Sequence, residues 1–258
     1  MYNGVEMNEL CKQETDQLLD WYRQNRRVLP FRDTGDPYDV WISEIMLQQT
    51  RIEAVVSYFL RFKEEIPDIG HLAKIPEDRL LRLWEGLGYY SRARNLQKCA
   101  QILKEEYDGK IPADYESLRK LPGIGPYTAG AIMAIAFGKP YPAIDGNVLR
   151  VLARYFGIRE DIRLESVRKQ MEHTVSSFYE KEGITEETYI RDLTQAFMEL
   201  GALVCIPNGR PLCADCPWRN SCYACRNDLT DQIPDRSRNI PLSWGVPDDF
   251  VWSTMWKA

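Results

Sequence analysis

Apolar residues recur along this chain at helical spacing and almost never alternate with polar ones, which excludes most sheet folds. Residues 8–26 place Leu18, Trp21 and Tyr22 on one face among charges. Residues 38–49, 52–65, 77–86, 90–107, 114–120, 126–137, 146–156, 163–179 and 188–204 read the same way. Punctuation agrees: Pro76 stands where a helix can begin, and Gly157 follows the last periodic residue of another. The expectation is an all-α fold of about ten helices with short connections. A length of 258 residues suits one large domain or two modest ones. No internal repeat or low-complexity segment interrupts the pattern. After residue 226 the chain becomes proline-rich and poorly periodic, and this tail holds Trp244, Phe250, Trp252 and Trp256.

The longest apolar runs fall far short of a membrane span, so no membrane role is expected. The first residues, MYNGVEMNELCKQETDQ, show neither a basic start nor an apolar stretch. A cytoplasmic location follows (nucleoid-associated if bacterial), and structural disulfides are not expected there. A monomer is the simplest state. The formal charge of −5, from 33 basic and 38 acidic residues, leans away from nucleic-acid partners. Locally the balance reverses. Residues 89–98, YYSRARNLQK, carry Arg92, Arg94 and Lys98 with no acid among them. That stretch reads either as a phosphate-binding face or as an ordinary solvated helix face.

Five of the seven cysteines crowd into residues 205–225: Cys205, Cys213, Cys216, Cys222 and Cys225. Thiolates held together repel, and a cationic centre offsets that repulsion. Two C-x2-C pairs are present, but the gap between them is much shorter than the roughly 12–20 residues of ordinary zinc modules. A zinc site of four cysteines stays open, and so does a [4Fe–4S] cluster, which needs four thiolates on a compact loop.

Three further features carry chemistry. In LPGIGPYTAG (121–130), Gly123 and Gly125 permit positive φ and leave backbone N–H groups uncovered. A helix starting at Pro126 adds unpaired N–H groups, so the turn can grip an anion such as a phosphate. A tight interhelical turn with a glycine cap is the plain alternative. In VWISEIMLQQT (40–50), Glu44 and Gln48 interrupt an apolar helix on one face, and a desolvated carboxyl there suits a general acid. In YPAIDGNVLRVLARYFG (141–157), Asp145 stands where a helix cap belongs, and a helix N-terminus that kept it ionised would let it stabilise a cation. His71 and His173 lie in unrelated contexts.

In this order WISEIMLQQT, WEGLGYYSRARNL, LPGIGPYTAGAI, AIDGNVLRVLAR and MELGALVC with its cysteine loop resemble the helix–hairpin–helix DNA glycosylases with an iron–sulfur loop. The resemblance is to the MutY-type adenine glycosylases and spans roughly residues 10–226. It implies a six-helix barrel lobe over 32–141 carrying the hairpin, a cluster lobe of 1–31 with 142–226, and a tail from 227 to 258. It implies double-stranded DNA holding a mismatch or an oxidised guanine as partner, lying across a groove between the lobes, with the target nucleotide flipped out. By position in the matching motifs, Glu44 takes the role of general acid. Asp145 takes that of the carboxylate facing the oxocarbenium-like sugar, with Asn147 near the sugar. Tyr127 takes that of a tyrosine supporting Asp145; relatives that nick the strand carry lysine there, so a monofunctional enzyme is implied. Arg32, Leu47 and Gln195 fall at the base pocket, and Gln48 and Tyr89 at the base stack. Gly123, Gly125, Arg92, Arg94, Arg210 and Arg219 are candidate phosphate contacts. Cys205, Cys213, Cys216 and Cys222 would hold a [4Fe–4S] cluster.

Three departures qualify these expectations. The spacing C-x7-C-x2-C-x5-C is one residue longer in its first gap than the family's, and Cys225 is a spare ligand. Phe31 stands in LPFR where the family usually has tryptophan. Only 32 residues follow 226, too few for the 8-oxoguanine-reading domain of such enzymes. A thymine or uracil mismatch glycosylase on the same fold is the second expectation, and a non-catalytic iron–sulfur DNA-binding protein the third.

Overall fold

The computed structural model describes residues 9–32 and 34–235. Among them are twelve α-helices, a five-residue π turn and a short 3-10 turn, with no strand. In order they are α1 (Lys12–Asn25), α2 (Pro37–Leu47), α3 (Ile52–Glu65), α4 (Ile69–Lys74), α5 (Glu77–Trp84) and α6 (Ser91–Glu106). Then come α7 (Tyr115–Arg119), α8 (Pro126–Ala131) with the π turn Ile132–Ala136, α9 (Gly146–Phe156), α10 (Glu165–Lys181), α11 (Glu187–Leu203) and α12 (Tyr223–Arg226). None is long and apolar enough to cross a membrane.

The chain forms two compact units, Arg27–Ala143 and the described residues of Met1–Arg26 with Ile144–Ala258. The sequence places these seams at 31/32 and 141/142. Packing moves the first, because Leu29 and Phe31 are buried and Phe31 meets Phe59 of α3 edge-on at 5.3 Å. The second moves because the chain at Pro142 runs over α8: a Cβ on Gly130 would sit 2.2 Å from the Pro142 carbonyl oxygen. Glycine is the residue that allows that crossing.

In the first unit α2 is almost wholly buried, with Trp41, Ile42, Ile45 and Met46 inside, and it packs on α3, α8 and the π turn. Asp36 starts it by accepting from the Tyr38 N–H at 2.9 Å, with Pro37 in the first turn. In the second unit α9 is the central helix, buried throughout from Val148 to Phe156. Asp145 caps one end and Gly157, at φ +77°, closes the other. α11 and α12 pack on it, and α1 packs on α11. Trp218, from the cysteine loop, is fully buried and donates its indole N–H to the Glu14 carbonyl at 2.8 Å. The packed chain continues past residue 226, since Ile233 is buried and its carbonyl accepts from Arg154 at 2.8 Å. Trp244, Phe250, Trp252 and Trp256 lie outside the described residues.

Candidate active site and cysteine loop

Glu44 sits mid-way along α2 among apolar neighbours and is 8% exposed. The phenol of Tyr127, on the first turn of α8, donates to Glu44 Oε2 at 2.6 Å. A carboxylate taken out of water needs such a donor, and a charge-assisted bond of this kind contributes about 1.5–3 kcal/mol. The resemblance assigned Tyr127 to the support of Asp145; the bond its phenol makes in the structure is to Glu44, 83 residues away. Leu47 closes α2, half-buried, and Arg32 donates to the Arg27 carbonyl at 3.2 Å. Gln195 is buried on α11 in the other unit.

The hairpin that carries Tyr127 is built from its caps. Asp114 accepts from the Ser117 N–H at 2.8 Å to start α7, and Arg119 at its end donates to the Ile124 carbonyl at 2.8 Å. Gly123 takes φ +75°, and a Cβ there would meet Asn95 Cβ at 2.9 Å, so the position is closed to side chains twice over. Gly125 corrects the sequence reading. Its φ is −79°, an ordinary extended conformation, and it serves as the cap residue before Pro126. Beyond Ala131 the expected single helix gives way to the π turn.

Two loops next to α2 and α6 depart from ordinary backbone. Gln48 ends α2, and Gln49 beside it takes φ +59°. Tyr89, half exposed, takes φ +46°. Each such conformation costs a non-glycine residue about 1–2 kcal/mol. The role of Arg92 as a phosphate contact is not upheld. Its two terminal nitrogens donate to five backbone carbonyls, those of Ile45, Met46, Gln48, Leu87 and Gly88. Burial pulls its guanidinium down to about 10, still charged at neutral pH. Arg94 is exposed and pairs with Glu77 at 2.7 Å.

Asp145 is the cap of α9, as its sequence position suggests. It accepts from the Val148 N–H at 2.7 Å and from Asn147 Nδ2 at 2.9 Å. The sequence argument had the helix end holding it ionised. The surrounding protein acts the other way: burial pushes its carboxyl above the usual range, against those two bonds and the nearby Arg150 charge. Arg150 is the residue that sequence reasoning missed. It is 1% exposed and donates to Asn147 Oδ1 at 2.8 Å, to the Gly201 carbonyl at 2.7 Å and to the Cys205 carbonyl at 2.7 Å. Asn147 is thereby fixed with its amide N–H toward Asp145. Gly201 leaves the room, since a Cβ there would meet Asn147 Cβ at 2.6 Å. The signal was legible: Arg150 and Arg154, four apart, on an otherwise apolar helix.

Arg154 continues the link, donating to Cys205 Sγ at 3.2 Å and to the Ile206 carbonyl at 3.1 Å. None of the five loop cysteines is in a disulfide. Burial first, and then the neighbouring sulfurs, push the thiols up, Cys213 to about 11, Cys216 to about 12 and Cys222 to about 11. Cys213 is influenced most, after burial, by Cys225, while Cys205 acts on Cys213, Cys216 and Cys222 alike. The extra residue of the first gap is taken up in a bend with Gly209 at φ +76°, closed by the Leu212 N–H donating to the Val204 carbonyl at 2.9 Å. Among the described residues no group of three or more His, Cys, Asp or Glu side chains is arranged to hold a single metal ion.

An all-helical chain with this hairpin, a buried acid on an earlier helix and a capping aspartate opening a later one defines a class. The chain belongs to the HhH-GPD superfamily of base excision DNA repair proteins, whose profile matches residues 42–177, more than half of its length. It is 40% identical over 217 residues to the adenine DNA glycosylase of Buchnera aphidicola subsp. Baizongia pistaciae (strain Bp), covering 84% of this chain and 59% of that one. To the adenine DNA glycosylase of Homo sapiens it is 41% identical over 225 residues, covering 84% of this chain and 40% of that one. The chain thus spans about half the length of these relatives. Among solved structures it is similar to a thermostable thymine-DNA glycosylase, with a TM-score of 0.73 at 27% identity over 84% of this chain and 96% of that one. It shares the fold of an endonuclease III–DNA complex, with a TM-score of 0.66 at 24% identity over 85% and 99%.

Proposed function

We propose that the protein is a monofunctional DNA glycosylase that hydrolyses the N-glycosidic bond of a flipped-out adenine lying opposite 8-oxoguanine or guanine. The observation that carries this reading is Glu44, buried on an apolar helix with the Tyr127 phenol on one of its two oxygens. The Glu44 carboxyl then delivers a proton to the adenine ring. As that proton arrives the C1′–N bond breaks and its electron pair leaves with the base. Asp145, ionised and aimed by the Val148 N–H and Asn147, balances the positive sugar. Water adds at C1′ and its proton returns to Glu44, leaving free adenine and an abasic site. A purine gains more than a pyrimidine from protonation as it leaves, which favours adenine. Arg32, Leu47 and Gln195 each contact the base, Gln48 and Tyr89 enter the base stack, and Gly123 and Gly125 hold a phosphate through backbone N–H groups. Arg94, Arg210 and Arg219 add phosphate contacts. The partner is double-stranded DNA, and the working form is a monomer.

The donor set of the cysteine loop fits a cluster of several irons better than one ion. Its two C-x2-C pairs lie much closer together than the roughly 12–20 residues of ordinary zinc modules, none of the five loop cysteines is in a disulfide, and four thiolates on one compact loop suit a cluster. Cys205, Cys213, Cys216 and Cys222 would hold [4Fe–4S], with Cys225 in reserve. When bound, it supplies cationic iron that neutralises the thiolates and fixes the loop. The purified protein is then brown, absorbing near about 400 nm.

Single-turnover assays on duplexes with A, T or U opposite G or 8-oxoguanine test the substrate. Release of adenine is expected. The likeness to a thymine-DNA glycosylase supports a second reading, thymine or uracil release, and T released without A would establish it in place of the first. Tyr127 is a phenol and forms no Schiff base. Borohydride therefore traps no adduct on abasic DNA, and an efficient trapped adduct would remove the monofunctional assignment.

A further inference from the structure

Arg92 makes a set of bonds that the proposed chemistry leaves unused. It joins two loops that are far apart in sequence. Nη1 donates to the carbonyls of Ile45 at 2.8 Å, Met46 at 3.3 Å and Gln48 at 2.5 Å, at the C-terminal end of α2, where helix carbonyls lack partners within the helix. Nη2 donates to Leu87 at 2.8 Å and Gly88 at 3.2 Å, in the loop before α6. The guanidinium lies 5.4 Å from the Trp84 ring centroid and 5.8 Å from that of Tyr89. The second loop is also held from outside. The Trp84 indole donates to the Gly88 carbonyl at 3.1 Å, and Tyr58 donates to the Glu85 carbonyl at 2.8 Å.

Both loops carry a non-glycine residue in the left-handed region, Gln49 and Tyr89. Such conformations persist only where the surroundings impose them. One fork-shaped cation reaching five carbonyls is a device for that, and an ammonium cannot reproduce it. We propose that Arg92 is a positioning residue that locks the Gln48 and Tyr89 loops into one relative geometry, so that the two side chains enter the base stack together. The inference rests on the reading of Gln48 and Tyr89 as base-stack residues. It places the effect of Arg92 on nucleotide extrusion and not on bond cleavage.

The test is a double-mutant cycle read by saturating single-turnover base release, with 2-aminopurine beside the target adenine reporting unstacking by fluorescence. Arg92→Lys, which keeps charge and stem, slows release about tenfold and lowers the 2-aminopurine signal. In a Gln48→Ala/Tyr89→Ala background the same change costs less than about twofold, because its route of action is gone. A full loss in both backgrounds overturns the proposal and leaves the base-stack reading standing. An alanine pair as fast as the wild type removes the base-stack reading itself, and the proposal with it. No loss in Arg92→Lys overturns the proposal alone. Arg92→Gln gives a second variant should the lysine form not fold; if neither folds, Arg92 holds the unit and not the two loops, and the proposal fails.

Discussion

The two candidate carboxyl groups are held in opposite ways. Glu44 is set into an apolar helix, with a phenol on one of its oxygens. Asp145 sits at a helix end with a backbone N–H and an amide on its two oxygens, and behind the amide stands a buried arginine tied to the cysteine loop. The difference suits the chemistry. A proton donor must be able to be neutral, so burial on an apolar helix helps it. A cation stabiliser must be ionised and must not move, so it receives donors even though burial still pushes its carboxyl up. That residual push is relieved when positive charge develops on the sugar.

The largest effect expected from breaking this contrast is at Glu44. Glu44→Gln keeps shape and removes the proton, and single-turnover adenine release falls about a thousandfold or more with DNA binding retained. Unchanged release in a preparation free of other glycosylases would end the acid assignment. Asp145→Asn comes next, slowing release by about a hundredfold or more. It carries a second signature. A carboxyl with a raised folded pKa binds its proton more tightly in the folded state, so the wild type loses stability as pH rises from the unfolded value of about 3.9 through the folded one. Urea unfolding at pH 4 and pH 7 should therefore show the stability difference moving in favour of Asp145→Asn at the higher pH; a flat difference contradicts the burial argument.

Smaller effects follow from the supports. Gly201→Ala puts a methyl group 2.6 Å from Asn147 Cβ. It should slow release about tenfold through a misplaced Asn147 and lower stability by about 1–3 kcal/mol, with no change in the response to a Tyr127 substitution. Tyr127→Phe removes one hydrogen bond, and a loss of about three- to tenfold is expected, with stability lowered by about 1.5–3 kcal/mol. A Tyr127→Phe loss as large as that of Glu44→Gln would mean that the phenol, and not the carboxyl, handles the proton.

What the sequence made legible was local. Asp145 starts a helix because an aspartate accepts from the N–H three residues on, and such a signal lies within a few letters; Asp36 and Asp114, which the sequence reading passed over, start theirs in the same way. The helix α9 and its glycine end were readable for the same reason. The short α4 was not, since six residues give too little periodicity, and the π turn Ile132–Ala136 leaves no mark in a run of small apolar residues. Gly125 looked like a positive-φ glycine beside Gly123, yet only the neighbour against Asn95 needed one. The site itself depended on pairs far apart in the chain. Tyr127 reaches Glu44 across 83 positions, and Arg150 reaches Cys205 across 55. Arg92 shows the cost of reading charge without partners. A basic stretch suggested phosphate, while its central arginine faces carbonyls 44 to 47 residues away.

The pH dependence of adenine release in single turnover tests the opposed roles most directly. The wild-type rate should fall at low pH, as Asp145 takes up a proton above the ordinary carboxyl range. Glu44→Gln, far slower throughout, should keep that acid fall, while Asp145→Asn should lose it. An acid fall that persists unchanged in Asp145→Asn would contradict the account.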